Sequence, residues 1–263
     1  MAFLPIPCAT TNMNEHSFIV IFCLNPSPFC INFEPIKPSF FLSIMNALSC
    51  ILCNSPNVQH FYKDTSEHYA SDYFQCQNCR LIFASPKDRP QRDEEFARYE
   101  THENDPEDEG YRNFLRQLFH PLNNLLEPES TGLDFGSGPG PTLNLMFEEE
   151  GHTMRFYDSF YDDDPSVFEE TYDFITATEV VEHLFHPDKE LERLWNCLRP
   201  GGYLGIMTKV AEDDKESFAD WHYRLDLTHV TFYTEDTFRW LADHWNAQLS
   251  FPADRVIIFQ KKQ

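Results

Sequence analysis

Glu179, Glu182, His183 and His229 are side chains whose types and spacing suit acid–base or metal chemistry. The first three stand at i, i+3 and i+4, so on a helical turn they share one face. His229 lies within the aromatic run from Trp221 to Tyr233. Two carboxylates and two imidazoles can hold Mg²⁺, Mn²⁺ or Zn²⁺ with positions left open for a substrate oxygen. The alternative is that Glu179 closes a pocket while the others are helix surface or core. Histidine also suits proton removal near neutrality. His183, His186, His222 and His229 are the candidates, with Glu182, Tyr223 and Asp226 close in sequence.

Cysteine supplies a second constellation. Cys50-Ile-Leu-Cys53 and Cys76-Gln-Asn-Cys79 are separated by 22 residues. Each pair offers two thiolates from one knuckle, and two knuckles make the tetrahedral four-sulfur shell that zinc prefers. The second pair runs into Leu81-Ile82-Phe83, as the hairpin of a zinc ribbon would. Redox cysteines or a disulfide are the alternative. A closed four-thiolate site has no open position, so this zinc is structural. Cys197 lies in an amphipathic helix and carries no role.

The elements that must position the acids and histidines begin at a glycine turn. Thr131–Phe135 reads as a strand ending in Gly136-Ser137-Gly138-Pro139-Gly140, and Pro141–Glu150 as the following helix, stopped by Gly151. A second strand, Thr153–Tyr157, ends at Asp158, where an acid can accept hydrogen bonds from both ribose hydroxyls. Strand, glycine turn and helix form a nucleotide-type site at the carboxyl end of an α/β sheet. The dinucleotide fingerprint needs a glycine at 141, where this chain has proline, and no Walker lysine follows.

The spacing G-x-G-x-G preceded by Asp134 resembles the first motif of class I S-adenosylmethionine-dependent methyltransferases. Tyr172–His183, with its E-V-V-E-H block, and Leu198-Arg-Pro-Gly-Gly before an apolar strand resemble the fourth- and fifth-strand motifs of that superfamily, in the right order over residues 130–263. The resemblance implies a Rossmann-like methyltransferase sheet and S-adenosyl-L-methionine as cofactor. It implies that Gly136, Ser137, Gly138 and Gly140 approach the methionine and ribose, with Asp134 beneath and Asp158 on the ribose hydroxyls. Thr178 and Glu179 would cover the methionine end. The E-x-x-E-H block with a downstream histidine is similar to metal-dependent O-methyltransferases acting on ubiquinone precursors or small-RNA ends. That implies a divalent metal at Glu179, Glu182, His183 and His229, and catalysis by His183, His229 and Glu182. One departure stands out: only 13 residues separate Asp158 from Tyr172, too few for the usual helix and third strand. The adenine contact after that strand is therefore not carried over. Phe160 and Tyr161 either wall the adenine or pack the loop.

Twenty Lys+Arg against 43 Asp+Glu give a formal net charge of −23, which repels phosphate backbones. The ribbon spacer is equally poor in cations, with Lys63 its only Lys or Arg. The expected acceptor is accordingly a small or mid-sized, non-phosphorylated molecule, methylated on oxygen. An RNA or tRNA methyltransferase gripping its substrate with the ribbon is one alternative, and a non-catalytic ribbon adaptor another. The apolar run Phe18–Leu24 is too short to span a membrane, and no basic region precedes it, so the expected location is the cytoplasm.

Residues 1–44 hold six of the 18 prolines and seven of the 25 phenylalanines but only Glu15, Glu34 and Lys37 as charges. They read as an irregular arm or as an artefact of gene assignment with the true start at Met45. The order thereafter is a zinc ribbon over 45–88, a helical linker over 89–128 and the methyltransferase domain over 129–263. Trp221 and Tyr223 are expected to roof an acceptor pocket or to pack in the core, and Val256–Phe259 to complete the sheet.

Overall fold

The computed structural model describes residues 48–66, 69–101 and 105–263. The arm at 1–44, the start at Met45, and Cys8, Cys23 and Cys30 lie outside the described residues. Alternating apolar residues and glycine turns build a six-stranded α/β sheet in the order β5-β4-β6-β7-β10-β9. Its strands are β4 (Thr131–Phe135), β5 (Thr153–Tyr157), β6 (Tyr172–Thr178), β7 (Leu198–Met207), β9 (Gln248–Ala253) and β10 (Val256–Gln260). The β5-β4-β6-β7 part is parallel, while β10 pairs antiparallel with β7 and β9. β5 is an edge strand, so no strand follows where the short Asp158–Tyr172 interval forbade one. β9, unmarked in the sequence pattern, forms the other edge, and its Pro252 is tolerated there for want of an outer partner.

Successive residues of the inner strands point to opposite faces. Phe174, Met207 and Ile258 pack with helices α2 (Glu109–Asn123) and α3 (Thr142–Glu149). Ile175, Ile206 and Ile257 pack on the other face with α4 (Pro187–Cys197) and α6 (Glu235–Trp245). The stretch read as a linker thus contains a wall of the domain: Leu115, Leu118, Phe119 and Leu122 of α2 are buried against the sheet. Leu125 continues the same apolar spacing but lies beyond the helix and is 44% exposed.

A second sheet contains β1 (Val58–Asp64), β2 (Ser71–Cys76) and β3 (Ile82–Ala84), and is extended by β8 (Thr231–Phe232) from the C-terminal half. Ile82 pairs with Phe232 and Phe83 with Thr231. Cys50, Cys76, Leu81 and Phe83 share one buried cluster with Leu133, Tyr233 and Phe238. The cysteine-bearing hairpin is therefore built into the main core. Helix α1 (Arg92–Tyr99) lines the site described next, while α5 (Lys215–Asp220) packs through Phe218 on Phe61 of β1. Among the described residues no helix is long and apolar enough to cross a membrane.

Candidate functional site

At the carboxyl ends of β4, β5 and β6 lies a cleft of about 430 Å³. The glycine turn forms one wall. Gly136 has φ +76° and Gly138 +65°, a region that favours glycine. A Cβ added at Gly136 would sit 2.4 Å from Val180 Cγ2, so the Val180 side chain of the turn after β6 packs directly on the glycine. Gly136 N donates to the Tyr157 carbonyl at 2.8 Å, and Gly138 N to Asp158 Oδ2 at 2.9 Å. Asp158 Oδ1 accepts from the backbone of Phe160 and Tyr161 at 2.8 and 3.2 Å. The carboxylate thus fastens the glycine loop to the next turn while lining the cleft.

Gly136, Ser137, Gly138, Asp158, Thr178 and Glu179 all line the cleft; Asp134 and Gly140 do not. Asp134 is buried below, accepting from Thr176 Oγ1 at 2.6 Å, and desolvation raises its carboxyl to about 7. Phe160 and Tyr161 also face the cleft. They pack under α1, with the Arg92 guanidinium 4.3 Å from the Phe160 ring centre and Tyr99 meeting that ring edge-on. Tyr99, Tyr111 and Phe114 from α1 and α2 line the same space. No sequence motif assigns them to a site, because a helix face shows its partner only once the sheet is folded.

On the opposite side, the ligand atoms of Glu182, His183 and His229 lie within 4.8 Å of one another. Glu182 and His183 come from a short 3-10 turn after β6, not an α-helical face. His183 Nδ1–H donates to the Thr228 carbonyl at 3.0 Å and His229 Nδ1–H to the Tyr223 carbonyl at 2.6 Å. Each ring is thereby fixed in the tautomer that carries its lone pair on Nε2. Glu182 is fully buried, accepting from Thr208 Oγ1 at 2.9 Å and from the Tyr223 hydroxyl. Burial, together with the Glu179 charge, pushes its carboxyl up to about 8.

Glu179, expected as the fourth ligand, is outside this group. Its backbone at φ +52° sends the carboxylate towards Arg255 at 3.4 Å, and its Oε2 lies 3.4 Å from the Tyr223 hydroxyl. His186 stands at the N-cap position of α4 without a side-chain capping bond, and His222 Nε2 meets Lys209 Nζ at 2.8 Å. Asp226 accepts from Arg98 and Thr228 and, although burial acts to raise it, lies well below the usual carboxylate range. Tyr223 is buried; Trp221 packs beside it against Phe218 and Phe232.

The four cysteine sulfurs also lie within 4.8 Å of one another. Cys50 Sγ is 3.5 Å from Cys79 Sγ, and Cys53 Sγ 3.4 Å from Cys76 Sγ, far beyond a disulfide bond. All four thiols are free.

Residues 108–249 match a family described as a methyltransferase domain. No curated protein matches the chain. Among solved structures, the 1,6-didemethyltoxoflavin-N1-methyltransferase of Burkholderia thailandensis is 16% identical over 70% of this chain and 96% of its own, with a TM-score of 0.43. An O-methyltransferase family protein from the same organism is 14% identical over 67% of this chain and 65% of its own, with a TM-score of 0.45.

Proposed function

The chain belongs to the methyltransferase-domain family, and from that premise we propose that it is an S-adenosylmethionine-dependent enzyme that methylates a small or mid-sized acceptor on oxygen. The observation that carries this reading is an adjacency. The glycine-walled cleft and a second cavity share Asp226 and His229, so a cofactor and an acceptor can meet beside the Glu182–His183–His229 cluster.

The cleft suits the cofactor on several counts. Its volume falls in the range of ligand sites. Thr178 Oγ1 is buried in its wall without a hydrogen-bond partner among the described residues. The aromatic rings of Tyr99, Tyr111 and Phe114 suit a sulfonium cation. S-adenosylmethionine supplies a methyl group on that electrophilic sulfonium. The glycine turn and Asp158 would hold the ribose side, and Thr178 the methionine side. Alignment of acceptor and methyl group in one line is the main requirement of such a displacement. His229 or His183 would take the acceptor proton as the carbon–oxygen bond forms and the carbon–sulfur bond breaks.

In the alternative arrangement, where the same Nε2 lone pairs bind a metal instead of taking a proton, Glu182, His183 and His229 fit a divalent cation whose remaining positions would hold the acceptor oxygen and lower its pKa. In this reading Glu179 is a cleft-wall residue. The cysteine cluster fits zinc, which would tie the two knuckles together, and its free thiols suit a reducing, cytoplasmic setting. The ribbon's sheet is continued by β8, which pairs with β3, and this supports a structural ribbon over one that grips RNA.

Calorimetric titration of S-adenosylhomocysteine tests the cofactor site. Micromolar-range binding is expected, weakened at least about tenfold by Asp158→Ala or Gly138→Val. Wild-type affinity in both variants would overturn the assignment of the cleft.

A further inference from the structure

The second cavity, about 740 Å³, opens beside the first and is lined by Tyr223 and His229, which belong to the candidate site, and by Arg89, which does not. Arg89 follows β3 and reaches across to the turn after the E-x-x-E-H block. Its Nη1 donates to the Phe185 carbonyl at 2.9 Å, and the guanidinium lies 5.3 Å from the centre of the Phe185 ring. Its Nε and Nη2 are buried and have no hydrogen-bond partner among the described residues. No carboxylate among the described residues pairs with Arg89, although the chain carries more than twice as many acidic as basic residues.

The other charges around this cavity are accounted for. Arg98 is paired with Asp226 at 2.7 Å. Asp88 accepts from the Asp72 backbone at 3.0 Å, and Glu94 from the Gln91 backbone at 2.8 Å. A guanidinium with two buried, unmade donors is costly to keep, and a small rotation of the side chain that brings this edge to the cavity would let a planar two-oxygen acceptor satisfy both at once. Desolvation lowers the Arg89 pKa, the direction expected of a cation whose anion is missing. A long flexible cation would not present this fork; arginine does.

We propose that the 740 Å³ cavity is the acceptor subsite and that Arg89 anchors a carboxylate of the acceptor there, leaving the atom to be methylated towards His229. This rests on the methyltransferase reading and narrows it to an acidic small molecule. The net negative surface does not oppose it, because exposed charges are screened beyond about 10 Å at ordinary salt while a buried pair is not.

The test uses matched acids and amides that differ only in charge: benzoate with benzamide, and hexanoate with hexanamide. S-adenosylhomocysteine is titrated first, and each probe is then titrated into the loaded protein by calorimetry. At least one acid should bind about tenfold or more tightly than its amide. Arg89→Gln should erase that preference while leaving S-adenosylhomocysteine affinity within about twofold, and Arg89→Lys should keep part of it. Thermal melts of both variants identify any loss of folding, in which case the lysine variant decides.

Equal binding of acid and amide overturns the assignment, as does a preference that survives Arg89→Gln. Absence of binding by every probe, with S-adenosylhomocysteine still bound, also overturns it and leaves the cofactor site standing. If S-adenosylhomocysteine itself does not bind, the cofactor reading fails by itself, and the acid–amide comparison on the unloaded protein still decides the role of Arg89.

Discussion

Asp134 is the acid of the glycine-loop motif, yet it touches no open space. It is enclosed beneath the turn, held by Thr176, and raised by burial from the ordinary 3.8 to about 7. A folded-state value above the unfolded one means that the fold favours the protonated form. That contribution is whole below pH of about 4 and is lost as the pH rises through about 7. Asp134→Asn keeps an acceptor for Thr176 and removes the charge. Its melting temperature relative to wild type should therefore climb from about pH 4 to 7 and then level; a flat difference would show that Asp134 stays ionised throughout. The cluster across the cleft makes a separate prediction. Mn²⁺ binding, followed by electron paramagnetic resonance, should be abolished by His229→Ala but changed less than about threefold by Glu179→Gln, because Glu179 turns to Arg255. Spacing alone put Glu179 and Glu182 on one helical face. The left-handed backbone at Glu179 and the 3-10 turn separate them, and no periodicity announces either.

At the scale of elements, the two turns after β4 and β6 are packed so tightly that each limits the other. Gly136→Ala would place its Cβ 2.4 Å from Val180 Cγ2 at a φ of +76°. A loss of roughly 1–3 kcal/mol in stability is expected from the overpacking and the backbone strain. S-adenosylhomocysteine affinity should fall with it. Val180→Ala in the same chain should restore part of the stability by removing the clashing methyls, measured as a double-mutant cycle. If Gly136→Ala is neutral, the turns are looser than drawn. Most of this sheet was legible in sequence, since β4, β5, β6 and β10 are apolar runs bounded by glycine, proline or acid. The edge position of β5 was legible too, from chain length alone. What escaped was non-local. α2 reads as linker because its apolar stripe has no meaning until β7 and β10 lie under it. β9 half-exposes alternate residues at an edge and carries a proline, so its pattern resembles a loop. Arg89 belongs to no motif and stands between Pro86 and Pro90 with nothing in the sequence to set it apart.

For the whole molecule, the cysteine hairpin and the segment that carries His229 form one mechanical unit. The Ala84 backbone N–H donates to the Val230 carbonyl at 2.8 Å, and Val230 N–H donates to the Glu182 carbonyl at 2.9 Å, a two-step backbone link from β3 to the candidate site. Asp64 of β1 makes a buried ion pair with Arg224, next to Tyr223, and Arg80 pairs with Asp213. Breaking a buried pair from one side leaves an uncompensated charge and costs roughly 3–5 kcal/mol. Arg224→Met should therefore lower stability by about that amount. Cys76→Ser, which removes one thiolate from the four-sulfur shell, should act through the same links. Amide exchange ought to speed up at 50–85 and, together with it, at 221–233, while β4 and β6 keep their protection, because those strands are held by helices on both faces. S-adenosylhomocysteine should then still bind through the glycine turn, whereas Mn²⁺ binding at Glu182, His183 and His229 should be lost. That split separates a ribbon that braces the acceptor side from one that is merely appended. An appended ribbon would lose its own protection in Cys76→Ser and leave exchange at 221–233 and Mn²⁺ binding at wild-type values.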